Sequence, residues 1–179
     1  AREHYRESFR LDRSNSWAVV QYLSLTLIFM NSQDSSERMA VMNLQGEGDE
    51  PPERRIRDLW STSRVHSIYD LHSEDRDRRI WAHGNLIELY LLSPCIRADA
   101  DPPGTRLMDA DEARRHALEH AEALVSIAGR ESFEVYSTRR QIFRYIQWYN
   151  EISDLAPETT KLANEVFKRF PPEVEERWR

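Results

Sequence analysis

The sequence predicts an all-α protein, and three observations carry this prediction. Only 5 of the 179 residues are glycine, which weakens the interior of a helix. The 8 prolines, which a helix interior tolerates poorly, are confined to 51–52, 94, 102–103, 157 and 171–172. Between these points, apolar residues recur at spacings of three and four, which gives a helix one apolar face.

Seven helices are expected between these breaks, with a loop at 32–52 and a second loop at 94–108. The helices span about residues 2–11, 16–31, 53–73, 76–93, 109–128, 131–153 and 157–169. The chain opens directly on the pattern of the first helix, "REHYRESFRLD". We therefore expect the chain to be a fragment of a larger protein.

The next three helices have a capping signal or a clear apolar pattern. Three residues before Trp17, namely Ser14, Asn15 and Ser16, can accept hydrogen bonds from the first turn of the second helix. In the third helix, apolar residues recur at helical spacing from Ile56 to Leu71. The fourth helix contains "IWAHGNLIELYLL", which opens on a tryptophan as the second helix does.

The last three helices follow the same logic. Asp109 or Asp111 can cap the fifth helix, a stripe of alanines gives it a narrow apolar face, and Gly129 can end it. The sixth helix carries mostly aromatic residues on its apolar face. Pro157 suits the first turn of the seventh helix.

Composition excludes several classes of protein. The formal net charge of -6 argues against a nucleic-acid-binding surface, which is normally basic. No apolar run approaches the roughly 20 residues of a membrane span. Cys95 is the single cysteine, so an internal disulfide is excluded and a reducing, cytoplasmic location is expected.

The segment "HYRESFRLDRSNSWAVVQYLSL" resembles the tetratricopeptide repeat (TPR), a helix–turn–helix unit of about 34 residues. Tyr5 fits the aromatic position of the motif and Ser8 the small one, whereas Arg13 replaces the usual proline. A second copy follows when Trp81 is aligned with Trp17. The resemblance implies a TPR-like α-solenoid of about three antiparallel helix pairs with inserted loops, in one domain over 1–179. The alternative is a plain helical bundle with two tryptophan-led helices.

In TPR proteins the first helix of each pair lines a concave groove that holds a peptide. By the alignment, the residues implied for partner binding are Trp17, Gln21, Ser24, Trp81, Asn85 and Glu88, joined by Arg140 and Arg144 on the third helix pair. Amides can bind a peptide backbone, arginines can bind carboxylates, and aromatic rings can anchor a side chain. Packing between repeats is the alternative role for the tryptophans, and surface ion pairing is the alternative for the arginines.

A different function is suggested by "HALEH" at 116–120, which matches the H-x-x-E-H pattern of inverted zinc metalloproteases. His116 and His120 are one helical turn apart, so both could bind one zinc ion, with Glu119 as the base. The third ligand has no clear candidate, although Glu134 and Glu151 can be nominated. Flanking histidines at the edge of a helix are the simpler interpretation.

The function that the sequence favours is therefore a protein-interaction or autoregulatory module of a larger intracellular signalling or effector protein. It is expected to be non-catalytic by itself, to need no cofactor or metal, and to bind a protein, a peptide or a neighbouring domain of the same chain. The alternative is a zinc-dependent hydrolase or metal-binding helical bundle. A third possibility is a homo-oligomeric bundle that uses the aromatic face of 133–149.

Overall fold

The computed structural model describes residues 1–12, 15–36, 38, 52–96, 107–174 and 178. Over these residues the chain forms α-helices, one short 3-10 helix and no strand beyond an isolated bridge between Ser32 and Ser153. The α-helices are α1 (Arg2–Leu11), α2 (Ser16–Met30), α3 (Pro52–Asp70), α4 (Arg76–Leu92), α5 (Ala110–Ala128), α6 (Phe133–Ile146), α7 (Trp148–Ile152) and α8 (Pro157–Phe167). The all-α prediction is confirmed. Most of the two predicted loops lies outside the described residues.

The capping residues identified in the sequence act as expected. The Asn15 side chain accepts a hydrogen bond from the backbone nitrogen of Ala18 at 3.0 Å. Asp109, rather than Asp111, caps α5 by accepting from the first turn of that helix. Gly129 ends α5 with a φ of 95°, a left-handed conformation that glycine adopts without strain.

The predicted helix at 131–153 is divided in two. α6 ends at Ile146, and the five-residue α7 begins at Trp148. After α7 the chain lies beside the end of α2, where the backbone nitrogen of Asp154 donates to the Asn31 carbonyl at 2.8 Å. We attribute the break to this attachment, which a straight continuation of α6 would not provide.

Helix α4 is the centre of the fold. It contacts α2, α3, α5, α6 and α8, and its residues from Asn85 to Leu92 are all buried. α3 runs antiparallel to it, because Trp60 donates to the carbonyl of Leu89 at 2.7 Å while Asp70 lies near Arg78. A helix that is buried on nearly all sides must be apolar on all of its faces. This explains the segment "LIELYLL", in which Glu88 is the one charged residue.

Helices α2, α4 and α6 run in the same direction and contact one another. Asn85 donates to Ser16 at 3.0 Å and Gln21 donates to Glu88 at 2.7 Å, so α2 and α4 run parallel to each other. Gln141 of α6 donates to both Gln21 and Glu88. Each of the three helices therefore contacts the other two, and α3, α5 and α8 pack around this central group.

The alanine stripe allows α5 to lie against α4. Ala113, Ala117 and Ala121 are completely buried, as the sequence predicts. Of the described helix pairs, these two make the most extensive contact. Small residues shorten the distance between helix axes, so this interface has no room for a larger side chain.

We expect Ala117→Leu to lower the free energy of unfolding by about 2 kcal/mol, because the added methylenes force α4 and α5 apart. Ala110→Leu is the matched control, since Ala110 is only half-buried at the start of the same helix. Urea denaturation followed by circular dichroism measures both. Equal effects of the two substitutions would contradict the packing described here.

Candidate binding pocket

A cavity of about 220 Å³ opens between α2, α4 and α6, with one residue contributed by α1. Seven of the eight residues implied by the repeat alignment line it: Trp17, Gln21, Trp81, Asn85, Glu88, Arg140 and Arg144. The eighth, Ser24, lies beneath the cavity, where its hydroxyl is hydrogen-bonded to that of Tyr145. The structure thus brings the eight residues together, and their role in binding stays a prediction.

The parallel arrangement of α2 and α4 explains why one alignment located so many of them. The offset that sets Trp81 on Trp17 also sets Asn85 on Gln21 and Glu88 on Ser24. Because the two helices lie side by side and run in the same direction, matched positions face the same space. The Asn85 amide is held in place by its bond to Ser16, whose hydroxyl in turn donates to Asp70 at 3.2 Å.

The floor of the pocket is the carboxylate of Glu88, which is 3% exposed. Its Oε1 accepts from the Tyr145 hydroxyl at 2.6 Å and from the Gln141 amide at 3.0 Å, and its Oε2 accepts from the Gln21 amide. Burial raises the pKa of Glu88 above its ordinary value, and these hydrogen bonds oppose that shift. The pKa of Tyr145 is raised well above its ordinary value by burial and by the adjacent Glu88 charge. A buried acid held by neutral donors on two other helices fixes the three helices relative to one another.

The walls and rim of the pocket are aromatic. Trp17 is 46% exposed and packs edge-on against Tyr5, with ring centroids 5.2 Å apart. Phe133 and Tyr136 of α6 lie at the opposite side, and Trp81 is half-buried between them and α2. Exposed rings around a polar floor offer apolar contact area to a ligand at a small entropy cost.

Two arginines supply positive charge on the α6 side. Arg144 donates to the side-chain oxygen of Gln141 at 2.6 Å, whereas Arg140 is exposed. Glu88 is the only acidic residue among the described residues that line the pocket. Its two oxygens already accept hydrogen bonds from neutral side chains, so the arginines are the charged groups that can still donate to a ligand, and the described lining carries a net charge of +1 when Glu88 is ionised.

The histidines of "HALEH" lie on the other side of α4, away from this pocket. His116 and His120 both stack on the ring of Tyr90, with centroid distances of 5.0 and 5.8 Å. The Nδ1 of His120 lies 2.9 Å from the Nδ1 of His83, so one ring donates to the other. Burial and the nearby histidines lower the pKa of His120 to about 4. The two histidines of the motif therefore pack at the edge of the alanine stripe, against α4.

Within the described part of the chain, no third ligand accompanies His116 and His120, the pair predicted for the alternative of a zinc site. Across the ranges that the structure describes, no three His, Cys, Asp or Glu residues are grouped so that they could hold a metal ion together. His83 of α4 packs against α5 through its contact with His120 and does not line the pocket.

Sequence reasoning missed two central residues, Gln141 and Tyr145. Both contact Glu88, and they are the reason that α6 closes against α2 and α4. The sequence did contain one clue to Gln141, because α6 carries this amide residue just as α2 carries Gln21 and α4 carries Asn85. The alignment could not use this clue, because α6 has no leading tryptophan that would set its register.

Comparisons with protein-family models, with curated proteins and with solved structures gave no match for this chain. None of the described helices combines the length and the apolar character needed to cross a bilayer.

Proposed function

We propose that this chain is a TPR-like protein-interaction module, non-catalytic by itself, that binds a segment of a partner in the pocket between α2, α4 and α6. The observation that carries the proposal is the convergence of aromatic, amide and arginine side chains from three parallel helices on one cavity. Such a lining has the composition of a recognition site, with aromatic anchors and a few oriented polar groups.

The order of the helices supports the TPR-like part of the proposal. α2 with α3, α4 with α5, and α6 with α8 make three antiparallel contacts, and the first helix of each pair lies on the inside. The chain departs from an open solenoid at one point. Ser24 and Tyr145 join α2 to α6, which narrows the expected groove into a closed-ended pocket.

The size of the pocket supports a peptide segment as the ligand. A cavity of about 220 Å³ accommodates one or two side chains but not a folded domain. The partner therefore presents a loop, a tail or an extended linker. If the chain is part of a larger signalling or effector protein, that segment can belong to a neighbouring domain, and binding would then be autoregulatory.

Selection of random short peptides displayed on phage, with the whole chain immobilised, tests this function. We expect enriched peptides to lose at least about tenfold in affinity for Trp81→Ala, because a buried aromatic anchor contributes 1–2 kcal/mol or more. Trp148→Ala is the matched control, since Trp148 is 50% exposed and lies outside the pocket lining. Enriched peptides that bind Trp81→Ala as well as the unchanged chain would overturn the proposal, as would a selection that enriches none.

A further inference from the structure

The charges of the pocket indicate which peptides it selects. The three charged residues in its lining are Glu88 at the floor and Arg140 and Arg144 on the α6 side. Glu88 is buried and its oxygens accept hydrogen bonds from Gln21, Gln141 and Tyr145. The arginines are the groups left to meet a ligand, and they give this part of an otherwise acidic protein a local positive potential.

The aromatic rings lie next to these arginines. Phe133 and Tyr136 precede Arg140 on α6 by one to two turns, and Trp17 and Trp81 face them across the cavity. Phe133 is 49% exposed, so its ring is available to a ligand. A ligand that fits both features must carry an apolar group and an anionic group close together.

Resting on the proposed function, we infer that the pocket selects a peptide segment with a single carboxylate beside an apolar side chain, and that its binding is coupled to proton uptake at Glu88. A guanidinium binds a carboxylate through paired N–H donors, which gives direction as well as attraction. With Glu88 ionised, the two arginines and this one acid give the described lining a net charge of +1, which a single ligand carboxylate matches.

The coupling to a proton follows from the position of Gln141. This residue accepts from Arg144 through its oxygen and donates to Glu88 through its nitrogen, so one amide separates the cation from the buried acid. A ligand carboxylate bound to Arg144 partly neutralises the positive charge that stabilises ionised Glu88. It also places a second negative charge near Glu88. Both effects favour the protonated form of Glu88. The proton comes from solvent, and Gln21 can turn its amide so that its oxygen accepts the new O–H, in exchange for the hydrogen bond that it now accepts from Gln141.

The remaining ionisable groups around Glu88 do not replace it as the proton acceptor. Tyr145 and Tyr149 face it from α6 and α7, and burial raises the pKa of both above the ordinary value. α2 faces it with the neutral side chains of Gln21 and Ser24. The arginines keep their charge throughout the range in which proteins stay folded.

The experiment uses three pools of short peptides with blocked ends, which contain a central Leu-Glu, Leu-Gln or Leu-Lys pair and are otherwise randomised. Fluorescence anisotropy of labelled pools measures their affinity for the whole chain. We expect the Leu-Glu pool to bind at least about tenfold more tightly than the other two. Arg140→Gln should remove most of this preference, whereas Arg115→Gln, an exposed arginine on α5, should leave it unchanged. A pool with a free carboxyl end and no Glu separates a side-chain carboxylate from a terminal one.

The proton coupling is tested with the Leu-Glu pool between about pH 8 and about pH 5.5, where the ligand carboxylate stays ionised. We expect affinity to rise as pH falls, by up to about tenfold per unit where one proton is taken up. Glu88→Gln keeps a hydrogen-bonding amide at the floor and should make affinity independent of pH.

The outcomes separate the two proposals. If Leu-Gln or Leu-Lys peptides bind as tightly as Leu-Glu, and Trp81→Ala still weakens them, the pocket binds peptides but the inferred class is wrong. A pH dependence that is absent, or that persists in Glu88→Gln, overturns the proton coupling. If no pool binds in a way that Trp81→Ala weakens, the proposed function fails as well.

Discussion

Replacing Glu88 with alanine is expected to lower the free energy of unfolding by about 3 kcal/mol at neutral pH. The substitution removes the acceptor shared by Gln21, Gln141 and Tyr145 and leaves buried donors without partners, each of which costs about 1–3 kcal/mol. Some of this loss is offset because the charge itself is costly to bury, as the raised pKa of Glu88 indicates.

Two variants decide whether the effect comes from the hydrogen bonds. Glu88→Gln keeps an acceptor for Gln141 and Tyr145, and we expect it to lose only about 1 kcal/mol. Glu119→Ala removes an exposed acid from α5 and should change stability by less than about 0.5 kcal/mol. Urea denaturation measures all three, and a Glu88→Ala protein as stable as Glu119→Ala would show that Glu88 does not hold the helices together.

The second large effect is a loss of stability in acid, caused by His120. Its pKa in the folded protein is about 4, against an ordinary value of 6.5, because burial and the neighbouring His83 and His116 disfavour its charged form. Between these two values the unfolded chain binds more protons than the folded one. Stability from this group is therefore complete above about pH 6.5 and is lost as pH falls towards about 4, by about 3 kcal/mol in total.

His120→Gln should flatten this dependence, because glutamine does not titrate and can still hydrogen-bond to His83. His4→Gln, an exposed histidine on α1, is the matched control and should leave the slope unchanged. The measurement is the free energy of unfolding in urea at several pH values between about 4 and about 7. Glu88 acts in the opposite sense, because a carboxyl with a raised pKa stabilises the fold at low pH and loses that contribution as pH rises. If His120→Gln loses as much stability between about pH 7 and about pH 4 as the unchanged chain, the loss is caused by other groups.

The sequence was sufficient for the helices and for much of the pocket lining. Helical spacing and the caps at Asn15, Asp109 and Gly129 are local signals, so they locate helix ends without knowledge of the fold. The pocket residues on α2 and α4 followed from one alignment, because matched positions lie on corresponding faces of two parallel helices that border the same cavity. The two arginines of α6 lie in the same pocket, although no copy of the motif marks their helix.

What the sequence could not give depends on contacts between distant residues. Residues 153–154 are hydrogen-bonded to the end of α2, and the helix breaks after Ile146 to allow this attachment. No local sequence pattern within 131–153 predicts the break. The pairing of His83 with His120 depends on how α4 is rotated against α5, whereas the sequence suggested the neighbours His116 and His120. The sequence does not single out Tyr145, because its hydrogen bond to Glu88 forms only when α6 packs on α4.

The central claim, that the pocket between α2, α4 and α6 binds a peptide, is tested most directly by ¹⁹F NMR of the chain labelled with 5-fluorotryptophan. Trp17 and Trp81 line the pocket, whereas Trp60 is buried between α3 and α4 and Trp148 lies outside the lining. On titration with the Leu-Glu peptides, we predict that the resonances of Trp17 and Trp81 shift together while those of Trp60 and Trp148 stay in place. The fifth tryptophan, Trp178, packs on the lining residue Phe133 and therefore serves neither as probe nor as control. A shift confined to Trp148, or the absence of a shift at both Trp17 and Trp81, would contradict the account.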